Sequence, residues 1–198
     1  RATQLEAANK ALAHQAYHDA LTGLPNRVFM REQIELAIEN ARRTRGKFAV
    51  VFIDLDFFKV INDQYGHSVG DELLQGFARR LAETIRPTDL LGRESGDEFI
   101  LLLPELSHMG EVEQLVQRLQ QKVSAPYRLS HCTVHTGASM GVALYPQDGD
   151  SAGQLIQGAD VAMFEAKRQG RGTLCFRSEV DHAKVMKRFA LAEELRGA

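Results

Sequence analysis

The sequence predicts one α/β domain in which a mostly antiparallel central sheet is flanked by helices. The segment KFAVVFIDLD contains an unbroken apolar run, Phe48 to Ile53, which is typical of a strand buried on both faces. Segments with helical periodicity lie on either side of it. Two further strands surround the tight turn ESGD and indicate a hairpin. The predicted order is helix, strand, helix, helix, hairpin, helix, strand, helix, strand, which is that of an α/β sandwich with a split βαβ arrangement.

Composition narrows the possible functions. The chain has 198 residues, 44% of them hydrophobic, which suffices for one substantial core without a second domain. A formal net charge of -2 gives no basic face, so we expect no nucleic-acid partner. Cys132 and Cys175 are too few for a disulfide framework and fit a reduced, cytoplasmic setting. No apolar run is long enough to span a membrane. Because the chain opens on Arg1, we expect a fragment, whose full-length parent could still be membrane-associated.

The N-terminal part is predicted to be helical on both sides of one loop. Residues 1–18 should form a signalling helix with a thin apolar stripe that could pair with a second copy, formed by Leu5, Ala8, Leu12 and Ala16. LTGLPNR reads as a loop. VFMREQIELAIENARRTRG resumes the helical period and should stop at Gly46. Its expected inward positions are Val28, Ile34, Ile38 and Ala41.

Two helices are expected after the buried strand. FFKVINDQYG should be a short helix that ends at Gly66. Ser68 and Asp71 have the spacing of a capping box at the start of the next helix, which should end at Pro87. The inward positions of that helix are Leu73, Leu74, Phe77, Leu81 and Ile85.

The C-terminal half should add a helix, a strand, a helix and a strand. The first helix lies near Glu111 to Val123, and HCTVHTGASMGVALYP is the longest strand candidate. The next helix opens with a capping box formed by Ser151 and Gln154, and TLCFR follows as a short strand. Residues 178–198 regain the helical period, and we interpret them as a linker helix that leads to another part of a longer protein.

Carboxylates gather at one predicted end of the sheet. Asp54 ends the buried strand, and Asp97 and Glu98 lie at the hairpin turn, which this topology can place beside it. Such hard oxygen ligands suit Mg²⁺ and leave positions for phosphate oxygens, as phosphoryl transfer requires. Local structural uses remain an alternative, since Asp97 could simply flank the turn and Asp54 or Asp56 could cap the helix that starts at Phe57.

Five blocks, in order along the chain, resemble the GGDEF domains of bacterial diguanylate cyclases. They are DALTGLPNR, DLDFFKVINDQYGHSVGDELL, GRESGDEF, SMGVALYP and ADVAMFEAKRQGRG. The similarity runs from about Tyr17 to Arg177, and we assign the domain to residues 19–177. The resemblance implies a fold like the nucleotidyl cyclase and polymerase palm, with a ferredoxin-like βαββαβ core. It also implies condensation of two GTP into cyclic di-GMP by a homodimer, each domain holding one GTP.

The resemblance further implies roles for individual residues. Asp54 and Asp97 would hold Mg²⁺ or Mn²⁺ with help from the Leu55 carbonyl, and Asp97 or Glu98 would assist deprotonation of the attacking 3′-hydroxyl, either directly or through the metal. The residues implied at the triphosphate are Phe57, Phe58, Lys59, Ser95, Gly96, Lys167 and Arg171.

Four of these phosphate residues also have an ordinary structural reading. The two phenylalanines could be partly core, and Lys167 and Arg171 could act as cations at a helix C-terminus. Asn62 and Asp71 match the guanine readers, because a carboxylate can accept from both N1–H and the exocyclic amine of guanine. Asp71 could instead serve only its capping box.

A second nucleotide site is implied just before the hairpin. Arg86 and Asp89 have the R-x-x-D spacing of the family's inhibitory product site, where Arg can bind guanine O6 and N7 and Asp can accept N1–H. Arg118 on the next helix is a further candidate contact. The alternative is that Arg86 merely closes its helix.

The signature turn departs from the family pattern. Ser95 replaces the first turn glycine, and Glu94 stands where an apolar or aromatic residue is more usual. If the turn needs a positive φ at that serine, the serine costs roughly 1 kcal/mol or more. We therefore expect reduced but real activity. Gly172 is a minor departure from the family's Asn.

Two rival functions belong to other classes. One is a domain that binds GTP without turnover and regulates a neighbouring EAL phosphodiesterase domain. Two segments favour this hypothesis: MKRFALAEELRGA resembles the helix that leads into EAL domains, and a sensory module often precedes a segment such as AYHDALTGLPNR. The other is an effector that only binds cyclic di-GMP at Arg86 and Asp89. The intact acid pair favours the enzyme.

Overall fold

A computed structural model describes residues 16–180. The helices are α1 (Arg27–Thr44), α2 (Phe58–Tyr65), α3 (His67–Ala82), α4 (Gly110–Val123) and α5 (Ala152–Arg168). The strands are β1 (Phe48–Leu55), β2 (Leu90–Ser95), β3 (Glu98–Leu103), β4 (Tyr127–Arg128), β5 (Thr133–Val134), β6 (Ala138–Tyr145) and β7 (Leu174–Phe176).

The five-stranded sheet has the order β2-β3-β1-β6-β7. Strand β1 pairs antiparallel with both β3 and β6, the β2–β3 hairpin is antiparallel, and only β6–β7 is parallel. Strands β1 and β2 therefore run in the same direction with β3 between them, which is the predicted split βαβ arrangement. The α/β class and the mostly antiparallel sheet are confirmed.

Helices cover both faces of this sheet. One face packs on α3 and α4, and the other packs on α1 and α5. Every residue of β1 is buried, because this central strand contacts side chains on both faces. The core on both faces therefore holds the C-terminal end of β1, which carries the buried Asp54, in a fixed position.

The helix boundaries differ from the sequence prediction at several points. Helix α1 ends at Thr44, and the left-handed residue that follows it is Arg45 (φ 55) rather than Gly46. Val28 is 46% exposed, because it lies in the first turn, before the helix meets the sheet. Met30 and Ala37 occupy the buried face beside the predicted Ile34, Ile38 and Ala41.

The capping box predicted for α3 is wrong. The helix begins directly after Gly66, which caps it without a side-chain hydrogen bond, so Ser68 lies inside the first turn. The helix also ends at Ala82, well before Pro87. Half of the box predicted for α5 is present, since Ser151 Oγ accepts from the Gln154 N–H at 3.3 Å. The Gln154 side chain accepts from the Asp150 N–H at 2.9 Å and not from Ser151.

The long strand candidate is split in two. Strands β5 and β6 are separated by residues 135–137, and β5 pairs with the unpredicted β4 in a small second sheet. The two predicted terminal helices lie almost entirely outside the described residues, so they stay predictions. No helix within residues 16–180 is long and apolar enough to cross a membrane.

Candidate active site

The end of β1 and the signature turn meet as predicted. Asp54 lies opposite Glu98 in the β1–β3 pairing, and the Leu55 N–H donates to the Asp97 carbonyl at 3.1 Å. From the end of α5, Lys167 Nζ reaches to 2.7 Å from Asp54 Oδ2. Three elements thus bring two carboxylates and an ammonium group together at one edge of the sheet.

Burial changes the acidity of both carboxylates. It raises the pKa of Asp54 to about 6; the Lys167 hydrogen bond opposes this shift, and the negative charges of Asp97 and Asp56 add to it. Burial also raises the pKa of Asp97. The site therefore holds more negative charge than its surroundings stabilise, and this excess favours binding of a cation.

The residues at this edge fit a divalent metal ion. Asp54 and Asp97 offer carboxylate oxygens, and the Leu55 carbonyl lies at the same strand end. Within residues 16–180 no group of three or more His, Cys, Asp or Glu side chains is arranged around a common metal position, so the remaining ligands would be water and phosphate oxygens. The capping alternative for Asp54 and Asp56 is wrong, because α2 begins after Phe57 without a side-chain cap.

Asp56 is a buried organiser that the sequence reasoning missed. It is 2% exposed, and its carboxylate accepts from Ser139 Oγ at 2.7 Å and from the Gly172 N–H at 3.0 Å. Arg171 lies 3.7 Å away. Residues two apart near a strand point the same way, so the D-L-D spacing was a signal that Asp56 would share a side with Asp54.

The signature turn is not strained at its serine. Gly96 has a positive φ of 45, whereas the non-glycine residues of the described chain with positive φ are Arg45, Phe57 and Arg171. The expected strain at Ser95 is therefore wrong, because the left-handed position of this turn falls one residue later. Ser95 Oγ instead donates to Glu98 Oε2 at 2.6 Å.

Neighbouring charges hold this turn against the rest of the domain. Arg93 donates from Nη1 to both Asp19 carboxylate oxygens at 3.0 Å and from Nη2 to the Gly96 carbonyl at 2.7 Å. Glu94 lies 3.7 Å from Arg31 of α1, so it faces that helix. The contact between Asp19 and Arg93 joins two of the quoted sequence blocks, and no local pattern would have predicted it.

The predicted phosphate residues surround the start of α2 and the end of α5. Phe57 and Lys59 are exposed, while Phe58 is partly buried against the core, as its structural reading anticipated. Arg171 lies over the Phe57 ring, with its Cζ 4.9 Å from the ring centroid. Two of the three predicted cations therefore lie beside acids of the β1 end, Lys167 at Asp54 and Arg171 at Asp56.

The predicted guanine readers lie on adjacent helices. Asn62 Oδ1 is closed to solvent and lacks a hydrogen-bond partner within the described chain, so this acceptor would meet a ligand only after the Asn62 side chain turns outward. A Cβ at Gly70 would lie 1.8 Å from this oxygen, so the glycine makes room for the amide. Asp71 is exposed and is free of the predicted capping role.

The R-x-x-D pair forms its own turn at the far end of β2. The Arg86 N–H donates to Asp89 Oδ2 at 2.9 Å, and the Arg86 side chain pairs with Glu111 at 3.4 Å. Arg86 lies beyond the end of α3, so the reading that it closes that helix is wrong. Arg118 is exposed about two turns after Glu111 on α4. Strand β2 separates this pair from the signature turn by roughly 17 Å.

The sheet order and its flanking helices define the palm-like class of α/β domains. Within that class, the sequence profile of the family described as "Diguanylate cyclase, GGDEF domain" matches residues 16–173. The chain therefore belongs to the GGDEF domain family.

Curated relatives include enzymes of opposite activity. The bifunctional diguanylate cyclase/cyclic di-GMP phosphodiesterase MucR of Pseudomonas aeruginosa is 42% identical over 100% of this chain and 29% of its own length. The cyclic di-GMP phosphodiesterase NbdA of the same organism is 40% identical over 98% of this chain and 25% of its own. The chain thus spans under a third of either relative.

A solved structure matches the fold closely. It comprises only the GGDEF domain of TpbB from Pseudomonas aeruginosa, and it aligns with a TM-score of 0.81 at 39% identity over 86% of this chain and 99% of its own. The curated TpbB sequence is a diguanylate cyclase, 43% identical over 86% of this chain and 39% of its own length.

Proposed function

We propose that this domain is a diguanylate cyclase that condenses two GTP into cyclic di-GMP with the help of Mg²⁺ or Mn²⁺. The observation that carries the proposal is the meeting of Asp54, Asp97 and Lys167 at the end of β1. Membership of the GGDEF family supports it, as does the similarity to TpbB, which is named a diguanylate cyclase.

The cations of the site match the charge of a triphosphate. Lys167 and Arg171 are held at the strand end by Asp54 and Asp56, so they need little reordering when a nucleotide arrives. The N–H groups at the start of α2, together with Lys59, add further positive potential. A divalent metal held by Asp54 and Asp97 would neutralise phosphate charge and lower the pKa of the attacking hydroxyl.

The reaction requires two half-sites. The 3′-oxygen of one GTP forms a bond to the α-phosphorus of the other, pyrophosphate leaves, and the hydroxyl proton passes to a base. Asp97 and Glu98 are the carboxylates of the turn that would take this proton. Because one domain has one such set of residues, we propose that a homodimer brings two sets face to face, and repeating the step closes the ring.

Base recognition would come from the exposed Asp71 carboxylate and from the Asn62 amide, once its side chain turns to present the buried oxygen. Guanine carries N1–H and an exocyclic amine that these acceptors can bind, whereas adenine would leave them unpaired. Arg86 and Asp89, with Arg118 as a more distant candidate, would bind the product at a separate site and inhibit turnover.

Regulation of an adjacent EAL phosphodiesterase domain is a second candidate function. The similarity to NbdA, named a phosphodiesterase, favours it. The Ser95–Glu98 hydrogen bond also favours it, because this bond occupies a turn carboxylate that catalysis would use. A sensory module and an EAL domain would then lie elsewhere in the full-length protein.

Product analysis separates these functions. The purified chain, fused to a dimerising coiled coil, is incubated with GTP and Mg²⁺, and cyclic di-GMP is quantified by chromatography. The cyclase predicts product from the parent and from Glu113→Ala, a matched loss of an exposed carboxylate on α4, but none from Asp97→Ala. Absence of product from the fused parent, with GTP still bound, would refute the cyclase and support the regulator.

A further inference from the structure

The turn after α5 holds Arg171 in a fixed place. Residues 170–172 all have positive φ, at 127, 63 and 59. The Arg171 N–H donates to the Ala166 carbonyl at 3.2 Å, and the Gly172 N–H donates to Asp56 Oδ2 at 3.0 Å. The Gly172 carbonyl also accepts from Gln120 Nε2 at 3.0 Å. Positive φ is ordinary for the two glycines but strained for Arg171, and these hydrogen bonds fix the backbone from which the Arg171 side chain extends.

Phe57 faces this turn from the start of α2. Its φ is 61, a left-handed conformation that bulky side chains rarely adopt, and the residue is 56% exposed. An exposed ring gains little from burial, so core packing does not explain a phenylalanine in this strained position. Phe57 and Arg171 are two of the three non-glycine residues in the described chain with positive φ, and they contact each other.

The guanidinium of Arg171 is held by Phe57 and Asp56 while its donors stay available. Its Cζ lies 4.9 Å from the Phe57 ring centroid, within the range of a cation–π interaction, and its Nη1 lies 3.7 Å from Asp56 Oδ1. The side chain is 41% exposed, and no hydrogen bond within residues 16–180 uses its N–H groups. A guanidinium with free donors in a fixed orientation suits a phosphate group.

We propose that Phe57 is a positioning residue, whose ring orients Arg171 toward the triphosphate of GTP. This inference rests on the proposed function, because that function names GTP as the ligand. Holding Arg171 in advance avoids the loss of side-chain freedom that binding would otherwise impose. Phe57 would therefore affect affinity for the triphosphate and leave recognition of the base unchanged.

A double-mutant cycle tests this role. Binding of the α,β-methylene analogue of GTP, with Mg²⁺, is measured by calorimetry. Phe57→Leu should weaken binding roughly threefold to tenfold, and Phe57→Tyr should restore it, since the aromatic face returns. In an Arg171→Ala background, Phe57→Leu should have no further effect. Val60→Ala, which trims another exposed apolar side chain of α2, should leave the affinity unchanged.

Two results would overturn the positioning role. One is additive losses from Phe57→Leu and Arg171→Ala, which would mean that the ring and the guanidinium act independently. The other is an equal loss of guanosine binding in Phe57→Leu, which would mean that the ring contacts the base. A parent that binds no analogue refutes both this role and the proposed function.

A spectroscopic readout needs no ligand at all. The Arg171 Nε–H signal should move downfield in Phe57→Leu, because the ring no longer shields it, and should return in Phe57→Tyr. An unchanged signal would refute the contact. If the parent binds the analogue with the predicted cycle but makes no cyclic di-GMP, the cyclase fails and the positioning role stands. If it makes cyclic di-GMP while the cycle is additive, only the positioning role fails.

Discussion

Replacing Ser95 by glycine, the residue more usual at this position in the family, should destabilise the domain. Ser95 does not have a positive φ, so glycine relieves no strain there. The change removes the hydrogen bond from Ser95 Oγ to Glu98 Oε2, 2.6 Å long, whose net contribution is about 1 kcal/mol. Glycine also loses more chain entropy on folding, about 0.5–1 kcal/mol. Together these effects lower the free energy of unfolding by about 1.5–2 kcal/mol.

Urea unfolding measures this loss. With a slope of about 2 kcal/mol per molar urea, the midpoint of Ser95→Gly should fall by about 0.8–1 M. Ser95→Ala should lose only the hydrogen-bond part, about 1 kcal/mol. Gly96→Ala is the matched control for backbone strain. Gly96 has a positive φ of 45, and a Cβ there would meet no atom within 4 Å, so the substitution adds strain without a steric clash. It should cost about 1 kcal/mol. A Ser95→Gly domain as stable as the parent, or more stable, would refute this reasoning.

Three further changes test other parts of the site. Burial raises the pKa of Asp54 to about 6, so the parent loses stability as the pH rises from about 4 to 6 and this carboxyl group must ionise in the folded state. Asparagine cannot ionise. Without divalent metal, Asp54→Asn should therefore be more stable than the parent by up to about 3 kcal/mol above pH 6. Urea unfolding across that range checks it, and a pH-independent difference would contradict it. Gly70→Ala would put a Cβ 1.8 Å from Asn62 Oδ1 and so displace the Asn62 amide. GTP affinity measured by calorimetry should then fall about fivefold. Unchanged affinity would exclude Asn62 from base binding. Arg93→Lys should lower stability by about 2 kcal/mol in thermal unfolding, because an ammonium cannot reproduce the paired contact with Asp19; a change within 0.5 kcal/mol, about the range of an ordinary surface substitution, would contradict it.

The sheet and its main helices were predictable because their patterns are local. The apolar run of β1 and the helical periods of α3 and α4 follow directly from side-chain spacing. The start of α3 was not predictable in this way, since Gly66 ends one helix and begins the next without a capping side chain. The split before β6 was also hidden, because the residues that interrupt the strand are compatible with extended backbone.

The acids of the site were predictable because each lies in a short, recognisable segment, and the family resemblance supplied the other candidate residues. Asp54 and Asp97 meet because the β1–β3 pairing fixes their register. The parts that were missed depend on contacts between distant segments. Asp56 accepts hydrogen bonds from residues 139 and 172, and Asp19 binds Arg93 across 74 positions. The left-handed conformation of Phe57 likewise has no signature in the residue type.

The most direct test of the central proposal is Mn²⁺ binding measured by electron paramagnetic resonance, with and without the α,β-methylene analogue of GTP. The meeting of Asp54 and Asp97 predicts that the parent binds Mn²⁺ together with the analogue, and that Asp54→Ala and Asp97→Ala each abolish this binding. The matched Glu113→Ala should bind as the parent does. Undiminished Mn²⁺ binding in both aspartate variants would contradict the assignment of this edge of the sheet as the metal and nucleotide site.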